Sequence, residues 1–206
     1  MSSDINSAEG AWPDESRDSS VNGFVAHLEV ARMLAKMVPA GSSVIEFGCA
    51  GGLLGEQLAQ RGFNEITGLE HSATLRSMAD AKNCYRSIRP HNLTQPLCDD
   101  VRYNAGACVG MFGSGPVGAT HISYMTSVLD EDAPLFLTVN GQSWLEQDWP
   151  SELEAAQQAD GFTIEYVNTI AYLDESKLDG RLIIICLLYT SPSPRDQRGS
   201  RMPSSA

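Results

Sequence analysis

The sequence predicts an α/β fold: a doubly wound sheet of seven strands, mostly parallel with one antiparallel strand, and helices on both faces. Three observations predict it. Short apolar strand patterns alternate with amphipathic helical ones from Phe24 to Ile185, as crossover units on a parallel sheet do. The first strand, Val44–Phe47, breaks into the small residues Gly48-Cys49-Ala50-Gly51-Gly52 and at once opens a helix. The next apolar run ends in a carboxylate, Glu70, at the spacing of about 20 residues expected of an acid that grips a ribose hydroxyl.

The elements follow in order. Phe24, Leu28, Ala31, Leu34, Ala35 and Val38 fall at helical spacing, so Asn22–Val38 is an amphipathic helix stopped by Pro39 and Gly41. After the first strand, Leu53–Arg61 is the first crossover helix and ends at Gly62, and Glu65–Leu69 is the second strand. Ser72 caps a helix over Ala73–Ala81, its hydroxyl accepting a free amide of the first turn. Cys84–Ile88 is the third strand, and Tyr103–Phe112 the fourth, apolar enough to be buried on both faces. Ile122, Met125, Val128 and Leu129 give a helix, and Pro134–Val139 is a fifth strand leading into Asn140–Trp144. Ser151–Ala159 is a last helix before the closing strand pair, Phe162–Tyr166 and Arg181–Ile185.

A strand that ends in small residues lets backbone N–H groups come close to a bound nucleotide-type group. A nicotinamide fingerprint would need glycines where Ala50 and Leu53 stand, so an oxidoreductase is disfavoured. Residue by residue the segment resembles the E/D-x-G-x-G-x-G turn of the class I S-adenosylmethionine-dependent methyltransferases, a Rossmann-like family. Glu46 holds the acidic position, Gly48 and Gly52 the first and third glycines, and Ala50 replaces the middle one. The resemblance implies that the turn wraps the methionine part of S-adenosylmethionine and that Glu70 binds the ribose. It assigns to the cofactor Glu46, Gly48, Cys49, Ala50, Gly52, Glu70, His71, Asn92, Leu93 and Val109. Asn92 either supplies the acceptor that the adenine amine needs or serves the turn before Leu93.

Val109–Gly118 and Leu135–Trp144 narrow the likeness. They resemble the small methyltransferase-like proteins of the Williams–Beuren chromosomal region and their bacterial relatives. Ser114 and Pro116 stand where the bacterial version has histidines, Asn104 where the family often has an acid, and Asp130-Glu131-Asp132-Ala133 where it has a basic turn. Any proton-transfer role of those histidines is therefore not carried over.

The composition bounds the partners. Within 206 residues, 42% of them apolar, one domain can build a sizeable core, over residues 23–185. A net charge of −12 argues against a general nucleic-acid or membrane-surface binder, and the cluster of Arg86, Arg89 and His91 reads as a solvated loop. Five cysteines without C-x-x-C spacing indicate neither a disulfide framework nor a metal site, and fit a reducing, cytoplasmic compartment. Residues 1–22, rich in Ser, Asp and Glu, read as a flexible arm with neither a secretory signal nor an anchor. The stretch from Cys186 onward closely resembles a translated transposon-type sequencing adapter, with Gln197-Arg198 in its variable index. It is Pro/Ser-rich and carries three Arg against one Asp in an acidic chain, so it is expected to be a non-native tail on a truncated domain.

Methyl transfer from a sulfonium is an in-line displacement with an activated leaving group, so the protein chiefly binds, aligns and excludes water. A hydroxyl or protonated amine acceptor also needs a group to take its proton. Residues 113–118 offer none, and His71 and His121 are poorly placed, so the catalytic residues stay unassigned. The expected function is methyl transfer to a small-molecule acceptor. The rival is a cofactor-binding regulatory or inactive relative, favoured by the replaced histidines and Asn104.

Overall fold

A computed structural model describes residues 23–187 except 99, 114, 175 and 176. The expected arm, all but two residues of the expected tail, and Ser114 lie outside the described residues. In chain order the elements are α1 (Ala26–Met37), β1 (Ser43–Phe47), α2 (Leu53–Ala59), β2 (Glu65–Leu69), α3 (Ala73–Asp80), β3 (Ser87–Arg89) and β4 (Ala105–Phe112). A 3₁₀ turn, Ala119–His121, then leads into α4 (Ile122–Thr126), β5 (Pro134–Asn140), α5 (Gly141–Glu146), α6 (Trp149–Asp160), β6 (Phe162–Leu173) and β7 (Leu178–Leu187).

The strands form one seven-stranded sheet in the order β3-β2-β1-β4-β5-β7-β6. All neighbours are parallel except β7, which runs antiparallel to both β5 and β6. The winding reverses between β1 and β4, and in an open sheet of this kind the crevice for a ligand lies outside the carboxyl ends of the strands at that reversal. Alternation along β1 divides its side chains between two cores. Ile45 and Phe47 join Phe112, Ile122, Met125 and Trp149 on one face, while Val44 joins Ala26, Val30, Leu34, Leu54 and Leu58 of α1 and α2 on the other.

Element boundaries depart from the sequence pattern for local reasons. Helix α1 starts only at Ala26, because Phe24 is drawn into a β-bridge with Leu173. Strand β3 is reduced to Ser87–Arg89, since Tyr85 turns inward to reach Glu46. Helix α4 is one short piece, and Leu129 leaves it for a parallel bridge to Tyr103. The run after β5 becomes α5, capped by Asn140, whose side-chain oxygen accepts from the amides of Gln142 (2.8 Å) and Ser143 (3.3 Å). The final hairpin is longer at both ends. Cys186 and Leu187 continue β7 opposite Pro134 and Phe162, so the strand runs two residues past Ile185. No helix among the described residues is long and apolar enough to cross a membrane.

Candidate functional site

The glycine-rich turn is built by three backbone conformations that side chains resist. Gly48 and Gly52 take φ of 76° and 83°, and Ala50 between them takes 44°, so the alanine adopts the left-handed region that glycine enters freely. A Cβ at Gly52 would stand 3.1 Å from the Ala79 backbone, and one at Gly48 would stand 2.8 Å from Met111. The turn is sewn to the end of β2, where the Leu69 carbonyl accepts from Gly48 N–H (2.8 Å) and Cys49 N–H (3.0 Å).

Glu70 completes this join. One carboxylate oxygen accepts from Ala50 N–H at 3.0 Å, and the other from Ser72 N–H at 2.8 Å. The side chain is 8% exposed, and each oxygen keeps a second lone pair with which it can take a hydroxyl. Arg76 holds the loop from inside α3, donating to the carbonyls of Glu70 (2.8 Å) and His71 (2.5 Å). Ser72 caps α3, accepting from Leu75 N–H at 3.3 Å.

The remaining sequence-selected residues fall into different surroundings. His71 is exposed beside Glu70, Leu93 is buried against the Gly48 side of the turn, and Val109 is half-buried in the middle of β4. Asn92 has its side-chain oxygen engaged by Thr94, from the amide (3.0 Å) and the hydroxyl (2.9 Å). Cys49 is buried, and burial together with Glu46 and Glu70 pushes its thiol pKa far up, which keeps it protonated and unreactive.

Glu46 lies beneath the turn, 2% exposed, rather than on its surface. Tyr85 donates to it at 2.7 Å. Burial pushes the Glu46 pKa up to about 8, and the charge on Glu70 adds to this while the Tyr85 hydrogen bond opposes it. Tyr85 reaches Glu46 only because Gly55 and Gly68 lack side chains: a Cβ on Gly55 would meet the phenol oxygen, and one on Gly68 would stand 3.2 Å from the ring. The sequence reading missed Tyr85, and no local pattern marks a tyrosine whose partner is 39 residues away.

Asn104, which stands in place of an acid, and His121, a poorly placed candidate, are both bound into the fold. Asn104 sits before β4 at the amino edge of the sheet, opposite the crevice. Its oxygen accepts from Ser43 N–H and hydroxyl, each at 3.0 Å, and its amide donates to Asp130 at 2.7 Å, tying β1 to the turn before β5. His121 is taken up in the 3₁₀ turn, where Nδ1 accepts from Gly118 N–H at 3.1 Å and the ring meets Tyr124 edge-on. Beyond Gly113, Trp149 donates to Ser143 at 2.9 Å from within the core and so fixes α5 against the carboxyl edge.

A second residue missed in the sequence is His27. It is buried in the first turn of α1, and burial lowers its pKa below the usual histidine value. Its place at the amino end of a helix that precedes a strand puts it at the carboxyl edge of the sheet.

No family model and no curated protein sequence matches the chain. Solved structures do. Magnesium protoporphyrin IX methyltransferase from Synechocystis PCC 6803 with bound S-adenosylmethionine is 19% identical, at a TM-score of 0.64 over 87% of this chain and 86% of that one. A putative RNA methyltransferase from Pyrococcus horikoshii is 13% identical, at a TM-score of 0.62 over 81% and 83%. The [4+2]-cyclase SpnF is 13% identical, at a TM-score of 0.64 over 88% of each chain. The chain therefore has the Rossmann-like fold that solved S-adenosylmethionine-dependent methyltransferase structures have.

Proposed function

We propose that this protein is an S-adenosylmethionine-dependent methyltransferase acting on a small-molecule acceptor. The observation that carries the reading is Glu70, a carboxylate held by the Ala50 and Ser72 amides at the lip of a left-handed small-residue turn. The residues fit such a cofactor. Glu70 would take the ribose hydroxyls, the turn from Gly48 to Gly52 would face the methionine portion, and Leu93 would offer an apolar wall. When bound, the cofactor supplies an electrophilic methyl group on a sulfonium, whose departure needs no help from an acid. The chain's own work is to orient, to exclude water and, for an O–H or ammonium acceptor, to provide a proton acceptor.

Methyltransferases of the same fold support the reading, among them one whose structure holds the cofactor. Because the same fold also carries an RNA methyltransferase and a cyclase, the acceptor is argued from charge: at −12 the chain repels a polyanion. Asn104 does not support an inactive relative, since it braces the edge of the sheet away from the crevice. The test is incubation of the chain with S-adenosylmethionine and a panel of small hydroxyl, thiol and amine acceptors. A gain of one methylene in the acceptor with stoichiometric demethylated cofactor is expected, and cofactor binding without turnover across the panel counts against it.

A further inference from the structure

Arg181 interrupts an apolar strand. The four residues after it in β7, Leu182–Ile185, are all buried, whereas Arg181 is half-buried and shares its face of the sheet with Ile183 and Ile185. It lies opposite Val139 of β5, and Val139 lies opposite Phe112, the last residue of β4, so the three form one row at the carboxyl edge of the parallel strands. The guanidinium carbon stands 5.5 Å from the centre of the Trp144 ring on α5. Helix α5 is pressed against the same edge: an added Cβ at Gly141 would overlap the Asp179 carbonyl of β7, and one at Gly113, just past β4, would overlap Ser143. Arg181 donates one N–H to the Gly180 carbonyl at 3.2 Å and pairs with no carboxylate among the described residues. The acid of α5, Glu146, is engaged by Gln142 at 2.8 Å. Other arginines of this acidic chain do pair with acids, Arg32 with Glu29 at 2.6 Å and Arg86 with Glu65 at 2.7 Å.

A guanidinium held over an indole has its fork of N–H groups fixed in advance, and that fork matches the two oxygens of a carboxylate. We propose that the methyl acceptor is a small molecule bearing a carboxylate, that Arg181 binds this group, and that Trp144 is the residue that positions Arg181; this rests on the function proposed above. The proposed cofactor lies over β2 and the β1 turn, where Glu70 and the glycines are, so the carboxyl edge beyond β4 is left for the acceptor. Neighbouring strands are about 4.8 Å apart, which puts β7 about 10 Å from β4 in the order β4-β5-β7. A carboxylate held at that distance is a handle and is not itself methylated. The acceptor's own nucleophile, reaching back toward β4, forms the new bond to the methyl carbon as the carbon–sulfur bond breaks; the bonding pair stays on sulfur, and the nucleophile's proton passes to solvent. In a chain of net charge −12, one fixed guanidinium admits a single carboxylate where the field as a whole repels a polyanion.

The test is fluorine NMR titration of the full chain, saturated with S-adenosylhomocysteine, with 4-fluorobenzoate and with its uncharged counterpart 4-fluorobenzamide. Expected is that the wild type binds the carboxylate about tenfold more tightly than the amide, the worth of a charge-assisted hydrogen bond. Arg181→Gln should abolish that preference, Arg181→Lys should recover part of it, and Trp144→Leu should weaken the carboxylate alone. Affinity for S-adenosylhomocysteine and the melting temperature should be unchanged in Arg181→Gln and Arg181→Lys. A wild type that binds no 4-fluorobenzoate or does not distinguish the two probes, or a preference that survives Arg181→Gln, overturns the role of Arg181. So does a preference lost only together with cofactor affinity or with a lowered melting temperature in both Arg181 variants, which marks a structural role. A folded wild-type chain that binds no S-adenosylhomocysteine overturns the proposed function and this inference with it, whereas a chain that binds it but ignores the carboxylate overturns the inference alone.

Discussion

Glu70 and Ala50 face each other across the β1–β2 junction, the carboxylate accepting the Ala50 amide at 3.0 Å. This single bond joins the two features that the sequence offered separately, the small-residue turn and the acid. The same carboxylate also accepts from Ser72 at 2.8 Å, so it organises the turn and the start of α3 before any ligand arrives. Glu70→Ala should weaken S-adenosylmethionine binding by about 1.5–3 kcal/mol, the value of hydrogen bonds to a charged group. Titration calorimetry checks this, and unchanged affinity would remove Glu70 from the site.

Ala50 holds φ of 44°, a region that costs an L-residue roughly 1–2 kcal/mol. Glycine gives back part of that gain through its greater freedom when unfolded. Ala50→Gly should therefore stabilise the chain by up to about 1 kcal/mol while leaving the Glu70 contact in place. Thermal melts of the two proteins would show the difference as a raised midpoint.

Glu46 and Tyr85 make stability depend on pH. The folded-state pKa of Glu46 is raised from 4.5 to about 8, so the folded protein holds a proton that the unfolded chain releases. The resulting stabilisation is fully present below pH 4.5 and is lost as pH rises toward 8, with a limiting slope of about 1.4 kcal/mol per unit. Glu46→Gln should remove that slope, with a gain over wild type that grows from pH 5 to 8. Tyr85→Phe should cost about 1–3 kcal/mol by removing the hydroxyl that donates to the buried carboxyl. It should also extend the sloping window upward, because the Tyr85 hydrogen bond holds the pKa down. Denaturant melts across this range are the measurement.

Asn104 gives a control from the far edge of the sheet. Its bonds to Ser43 and Asp130 predict that Asn104→Ala destabilises by about 1–2 kcal/mol without changing cofactor affinity. Melting and titration of the same variant separate the two effects, and a fall in affinity at full stability would place Asn104 in the site.

The fold was legible wherever its cause is local in sequence. Val44–Ala59 reads as strand, turn and helix because an apolar run, a run of small residues and a helical pattern follow one another there, and Ser72 reads as a cap because its partner Leu75 is three residues on. The boundaries that moved did so through distant partners, such as Leu173 for Phe24 and Tyr103 for Leu129. The candidate site divides in the same way. Glu70 and the glycines were visible, whereas Tyr85, which supports Glu46 from 39 residues away, has no sequence signature. Asn104 was visible as a departure from the family's acid, but only the sheet topology shows which edge it occupies.

The central claim is that the turn and Glu70 bind S-adenosylmethionine, and calorimetric titration of the 206-residue chain with that cofactor, its demethylated product and a nicotinamide dinucleotide tests it most directly. Micromolar binding of the first two, about −8 kcal/mol, with none of the third is the predicted result. A cooperatively folding chain that binds neither sulfur compound, or that prefers the dinucleotide, would contradict it.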